Sequence, residues 1–201
     1  MSKMLHQIVN MALSEDIGSG DLSSSLLVDN VTRAKIICRE KAIICGIDYS
    51  NLCFSTLDPN IAINWKIKEG EEAKPGFVIC HLKGKAQAII SAERTALNFL
   101  QTLSATATQT KYLVDMIKHT NAKLLDTRKT IPNLRYAQKY AVKCGGGVNH
   151  RMGLFDCVLL KENHISSIGS LEKSIEKAIL EFPNKPVIVE VESFDQLKRS
   201  L

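Results

Sequence analysis

The chain has 201 residues, 45% of them hydrophobic and 23% charged, which excludes a disordered or collagen-like polypeptide. Lys and Arg number 26 against 21 Asp and Glu, a mild +5 that becomes informative only where positive residues cluster. Aromatic residues make up 5%, with one Trp, too few for a stacking platform for single-stranded nucleic acid.

No apolar run approaches the roughly 18 residues of a membrane-spanning helix. The opening segment carries Glu15 and Asp16 soon after a periodic apolar stripe, where a secretory signal would show a continuous apolar block. A cytoplasmic protein is expected. The six cysteines (Cys38, Cys45, Cys53, Cys80, Cys144, Cys157) contain no C-x-x-C pair, and most lie in apolar stretches. That pattern reads as free buried thiols, not as a zinc site or a disulfide framework.

In chain order, Leu5, Ile8, Val9 and Ala12 are spaced as one face of a helix. The helix runs into EDIGSGDLSS, where glycines break it and Asp and Ser favour turns. Glu15, Asp16 and Asp21 offer themselves as metal ligands there, but acidic residues in such a turn are ordinarily solvated. Residues 34–38 and 42–47 read as short β-runs, and YSNLCFSTL as a helix. Ile61, Ile63, Trp65 and Ile67 alternate as in a half-buried strand, and a turn-rich 68–76 leads to FVICHLKGKA. The first ninety residues thus form a mixed α+β unit. Residues 90–120 lack Gly and Pro, so one long helix or two abutting helices are expected. Ser91 stands as a candidate cap, and Arg94 falls among apolar helical positions, where a core-facing arginine needs an anionic partner. Beyond it strand-like and helical stretches alternate: 122–126 strand, 134–143 helix opened by Pro132 and closed by Gly145, 156–161 strand, SLEKSIEKAILEF helix, 186–192 strand. This repetition implies parallel strands in a barrel or an open sheet. No G-x-G-x-x-G or P-loop motif is present.

The three later strands all end in charge. The first runs into Thr127-Arg128-Lys129, the second ends at Lys161, and the third carries Glu190 and Glu192. Side chains alternate along a strand, so Val187, Val189 and Val191 share one face while Ile188, Glu190 and Glu192 share the other. Such charges form either a buried ion network with Lys161 or Arg128, or a ligand site at the C-terminal ends of parallel strands. The second reading is preferred. GGGVNHR adds three glycines whose amides are free to meet an anion, followed by His150 and Arg151. Arg128, Lys129, His150, Arg151 and Lys161 together make a cationic pocket floor for a polyanionic small molecule. Glu190 suits a metal or a ribose hydroxyl.

EDIGSGDLSS, AERTALNFLQTLSATAT, LLDTRKTIPNLRYAQKYAV, CGGGVNHRMGLFDCVLLKENHI and VIVEVES, in this order, resemble the quinolinate phosphoribosyltransferase family. The resemblance implies an α/β fold: an N-terminal α/β sandwich domain over 1–100 and, over 101–201, the first part of an open, incomplete α/β barrel. The implied reaction joins quinolinate to 5-phosphoribosyl-1-pyrophosphate with Mg²⁺ and gives nicotinate mononucleotide, pyrophosphate and CO2 in NAD biosynthesis. By motif, Arg128, Lys129, His150 and Arg151 hold the two quinolinate carboxylates, with Thr127 beside them. Lys161 faces the phosphoribosyl group, and Glu190 binds ribose hydroxyls or the magnesium complex. Lys129, Lys161 and Glu190 are the catalytic candidates, and no side chains form a dedicated metal site. The resemblance also implies a homodimer in which Arg94 reaches the neighbouring subunit's site.

Family members continue past the last strand, supplying a further acidic residue and a glycine-rich phosphate loop. A barrel truncated at Leu201 is therefore expected, poorly active and aggregation-prone by itself. The alternatives are a non-catalytic homologue that binds quinolinate, and a related phosphoribosyltransferase-like protein acting on another acid. KEGEEAKPG resembles turns of biotinyl and lipoyl carriers, but the modifiable lysine of a following hairpin is missing. Nucleic-acid binding is disfavoured because the cations converge with glutamates.

Overall fold

The computed structural model describes residues 2–28 and 30–201. By its internal packing the chain divides after Asn149, and each unit is built around its own buried residues.

The first unit opens with α1 (Ser2–Ile17), whose apolar stripe buries Val9 and Leu13. The strands are β1 (Val31–Ile37), β2 (Ala42–Ile43), β3 (Ala62–Trp65), β4 (Glu72–Ala73) and β5 (Val78–Lys85). β1, β5 and β3 form an antiparallel sheet with β5 in the centre, and β2 pairs with β4 separately. Alternation in β3 places Ile63 and Trp65 half-buried between exposed Ala62 and Asn64, as its sequence pattern requires. Gly84 in β5 is demanded by space, since a Cβ there would lie 2.7 Å from Ile61 Cγ1. Residues 42–47 are strand only in their first two positions. Gly46 then turns into the left-handed region (φ 105°) and starts α2 (Ile47–Leu57). The orphan amides of that helix end are met from a distance: Glu69 accepts from Gly46 N (2.9 Å) and Ile47 N (2.7 Å).

One unbroken helix, α3 (Ala86–Ile117), follows β5 directly and packs against α1, α2 and α4 (Arg135–Cys144). Ala92, Ala96, Phe99, Leu103 and Ala107 fill its inner face. Ser91 therefore lies inside the helix and is not its cap. Its hydroxyl instead donates to Asp21 at 2.8 Å. Arg94 is exposed, correcting the core-facing placement that its apolar neighbours had implied. Residues 122–126 also differ from expectation. They contribute a single parallel bridge, Leu125 to Val148, and no strand, and Leu125 is left half exposed.

The second unit contains β6 (Val158–Leu160), α5 (Glu162–Ile168), α6 (Leu171–Glu181), β7 (Val187–Val189) and α7 (Phe194–Arg199). β6 and β7 are parallel, with α6 as the crossover and Leu171, Ser174 and Ala178 buried. Helix α5 was not anticipated from the sequence. Its seven residues are too few to show a period. Arg199 binds Glu172 through two nitrogens at 2.7 and 3.1 Å, tying α7 to α6. The fold is mixed α/β, and the described residues form no closed barrel.

Asp21 is not a metal ligand in waiting. The hydroxyl of buried Ser24, the Ser24 amide (2.9 Å) and the Ser91 hydroxyl all donate to its carboxylate, fastening the first turn to α3. These donors, the Ser24 hydroxyl foremost, hold its pKa down to about 2. A depressed carboxyl stabilises the fold above its unfolded pKa of about 3.9 and loses that contribution as pH falls toward its folded value. Asp21→Asn is expected to lower stability at pH 7, with the difference from the parent shrinking between about pH 4 and pH 2. Denaturant unfolding of both proteins across that range checks it.

Candidate active site

In the first unit the site is built on a buried ion pair. Lys139 Nζ, on α4, bonds to Asp126 Oδ1, and the two side chains are only 1% and 6% exposed. Asn149 Nδ2 donates both to Asp126 Oδ2 and to the Lys139 carbonyl oxygen, the latter at 2.8 Å. The backbone closes the same knot: Asp126 N donates to Val148 O (3.1 Å) and Val148 N to Leu124 O (2.8 Å). A charge this deep persists only with such partners. The pair anchors the point from which Thr127-Arg128-Lys129 departs.

That loop is ordered by its own polar groups. Thr127 Oγ1 accepts from Lys129 N at 3.0 Å, Thr130 Oγ1 from Arg135 Nε at 3.1 Å, and Gln138 Oε1 from Ile131 N at 2.8 Å. Lys129 is exposed and Arg128 half-buried, with its Nε buried and lacking a hydrogen-bond partner. An unmet guanidinium donor is costly in a finished core and natural beside an anion. A cavity of about 120 Å³ opens against the same loop, lined by Thr106, Asp126, Thr127, Lys129 and Lys139 among others.

The three glycines act differently from the expectation. Gly145 N donates to Ala141 O (3.0 Å), Gly146 N to Lys143 O (2.9 Å) and Gly147 N to Val142 O (2.9 Å), so these amides terminate α4 and are not free for an anion. Gly146 takes the left-handed conformation (φ 87°) that this ending needs, and a Cβ on Gly145 would meet Ala107 O of α3 at 2.4 Å. The glycines deliver Asn149 to the buried pair.

In the second unit His150 Nδ1 accepts from Arg151 N (2.7 Å), and Arg151 Nη1 reaches the Cys157 carbonyl at 3.3 Å. Both residues are half-buried. Lys161 directly follows β6, and Glu190 directly follows β7. The register that pairs Leu160 with Val189 sets them side by side, with Nζ to Oε2 at 2.8 Å. Their side chains are 42% and 52% exposed, so this is not the buried network entertained from the sequence. An open pair of this kind adds about 0–1 kcal/mol to stability. Its position at the C-terminal ends of parallel strands is where α/β proteins bind ligands.

Comparison with known proteins decides the family. Residues 21–104 match the family described as "Quinolinate phosphoribosyl transferase, N-terminal domain", and residues 106–201 match its C-terminal domain. The chain belongs to the quinolinate phosphoribosyltransferase family. Among solved structures of the family, the nicotinate-nucleotide pyrophosphorylase from Francisella tularensis superposes with a TM-score of 0.98 at 47% identity, covering 100% of this chain and 71% of that one. A probable nicotinate-nucleotide pyrophosphorylase (carboxylating) of Bacillus subtilis is 39% identical over 199 residues, which are 98% of this chain and 69% of that protein. A quinolinate phosphoribosyltransferase (decarboxylating) of Nicotiana tabacum is 40% identical over 174 residues, 85% of this chain. The chain spans about half the length of that plant relative, 49% of which is matched. Among the described residues no helix is long and apolar enough to cross a membrane.

Asp126, Lys139 and Asn149 were missed as a group by sequence reasoning, although the family motifs LLDTRKTIPNLRYAQKYAV and CGGGVNHRMGLFDCVLLKENHI contain all three. No local signal singles out Lys139: Ala137 and Ala141, four apart, share one helix face, and Lys139, two residues from each, lies off it. Lys139→Ala strands the Asp126 charge and is expected to cost about 3–5 kcal/mol of stability. Replacing both residues with apolar ones of similar volume (Lys139→Met with Asp126→Leu) should cost less, by denaturant unfolding.

Proposed function

We propose that the chain acts in phosphoribosyl transfer from 5-phosphoribosyl-1-pyrophosphate to quinolinate, with decarboxylation to nicotinate mononucleotide, pyrophosphate and CO2. The observation that carries this reading is the Thr127–Lys129 loop, whose cationic side chains are presented from a neutralised, buried anchor. Arg128 and Lys129 are assigned to carboxylate recognition, with Thr127 beside them, and the family motif assigns His150 and Arg151 to the same task. Guanidinium forks and an ammonium point charge suit a planar dicarboxylate. The sandwich domain is assigned to 1–100 and the barrel portion to 101–201, a reading supported by family matches over 21–104 and 106–201.

Lys161 and Glu190 are assigned to the sugar phosphate. Lys161 is a mobile cation for phosphate oxygens, and Glu190 is an exposed acceptor for ribose hydroxyls. Glu190 also fits Mg²⁺, which takes one or two protein carboxylates together with substrate phosphates and, when bound, neutralises charge on the departing pyrophosphate. The residues of the chain hold the quinolinate ring nitrogen in line with the sugar carbon that loses pyrophosphate. Bond formation leaves that nitrogen positive. The electron pair released when the adjacent carboxylate departs as CO2 is stabilised by it and then protonated. Lys129, Lys161 and Glu190 are the groups proposed to contact the reacting atoms, and the rest is positioning and electrostatics.

The exposed side of α3 bearing Arg94 fits a homodimer in which this arginine serves the neighbouring subunit's site, and a cytoplasmic location is proposed with it. Lys129→Ala or Arg151→Ala is expected to lower turnover on the order of 10²-fold or more, as removal of one charge-stabilising donor does elsewhere. CO2 release from quinolinate, with phosphoribosyl pyrophosphate and Mg²⁺, measures it. Near-parent turnover by either variant would refute the assignment.

A further inference from the structure

Without a C-x-x-C pair, the cysteines read in sequence as inert core thiols. The fold nevertheless gathers two of them beside a carboxylate. Cys45 lies in the loop before α2, Glu69 in the connection between β3 and β4, and Cys144 at the last position of α4. One ligand atom from each lies within 4.8 Å of the other two, and all three residues belong to the first unit. Cys45 is fully buried, whereas Glu69 and Cys144 are half-buried and leave the cluster one accessible side.

Supporting contacts hold the carboxylate. Glu69 Oε1 accepts from Gly46 N and Ile47 N at 2.9 and 2.7 Å, and Oε2 accepts from Gly46 N at 3.1 Å. These bonds fix the carboxylate plane and leave acceptor capacity unused. Tyr140 stands one turn earlier on the same helix, α4, close enough to influence the Cys144 thiol. No Lys or Arg pairs with Glu69 among the described residues. Groups that become anionic thus face one another with no counter-charge, and the bland alternative is a relay of neutral thiols bonded to the carboxylate.

Geometry and donor chemistry favour a metal. Zn²⁺ binds sulfur at about 2.3 Å and carboxylate oxygen at about 2.0–2.2 Å, so its tetrahedral ligand atoms stand roughly 3.5–3.8 Å apart, inside the spread observed. Two thiolates select a soft or borderline ion and disfavour Mg²⁺ and Ca²⁺, which want oxygen throughout. Hydrogen bonds that orient a ligating carboxylate are the usual outer support of such a site. We propose that Cys45, Glu69 and Cys144 form a three-ligand binding site for a divalent cation of the zinc class, with water completing the tetrahedron on the accessible side. Binding exchanges two protons for the ion: two thiols and M²⁺ give a dithiolate complex and two H⁺. The ion joins the start of α2, the β3–β4 connection and the end of α4, the helix end that leads through the glycines to Asn149.

The test titrates the full chain, reduced and stripped with chelator, with Co²⁺ and then Zn²⁺. One equivalent of Co²⁺ should produce a thiolate charge-transfer band that one equivalent of Zn²⁺ removes, and Zn²⁺ should raise the thermal midpoint by several degrees. Cys144→Ser should abolish the band, Glu69→Gln should weaken affinity by at least about tenfold, since even an outer support of a ligand is worth that much, and Cys38→Ser, outside the cluster, should change neither. Half-buried Cys144 and Glu69 are chosen because Cys45→Ser risks the core. The proposal is overturned if no one-equivalent band forms, if Cys144→Ser binds like the parent, or if the only reaction is oxidation to a Cys45–Cys144 disulfide.

Discussion

The buried pair between Asp126 and Lys139 is the constraint on which the rest of the site depends. Two charges removed from water must satisfy each other and their remaining hydrogen-bonding capacity. Here the requirement reaches into three stretches of chain: the end of 122–126, the middle of α4, and Asn149 beyond the glycines. The single Leu125–Val148 bridge and the left-handed Gly146 both follow from bringing those stretches together. A hydrophobic cluster could hold the same backbone at equal or better stability. It would specify less sharply where Thr127, Arg128 and Lys129 emerge, and specificity is the use we assign to this pair.

Lys161 and Glu190 show the same chemistry with the opposite burial. Their pair is open, contributes little to stability, and stands at the ends of two adjacent parallel strands. An exposed pair can exchange one partner for a substrate group at small cost, whereas the buried one cannot. The division of labour proposed for the family reaction follows this contrast, with a locked pair that presents cations and a loose pair that can meet a sugar phosphate.

Elements with a long or regular pattern were legible in the sequence. The stripe of α1, the alternation in β3, the uninterrupted α3 and the Gly145 stop after α4 needed only local periodicity and backbone chemistry. Residues whose role depends on a distant partner were not legible. Arg94 sits among apolar letters yet faces outward, because a helix of 32 residues buries one stripe and the register of that stripe is set by α1, α2 and α4. The triple glycine spoke of an anion loop but serves a helix end. Lys139 looked like one more helical lysine, and Cys45 and Cys144, far apart in sequence, gave no spacing to read. The family motifs contain Asp126, Lys139 and Asn149, and the structure shows how the three hold one another.

The most direct measurement is calorimetric binding of quinolinate against nicotinate, which lacks one carboxylate, to the parent chain and to Asp126→Asn. If the buried anchor positions cations for a dicarboxylate, the parent prefers quinolinate by about tenfold or more, roughly the 1.4 kcal/mol of one charge-assisted contact, and a still-folded Asp126→Asn loses that preference. Equal affinity for the two acids in the parent, or an undiminished preference in the variant, would contradict the account.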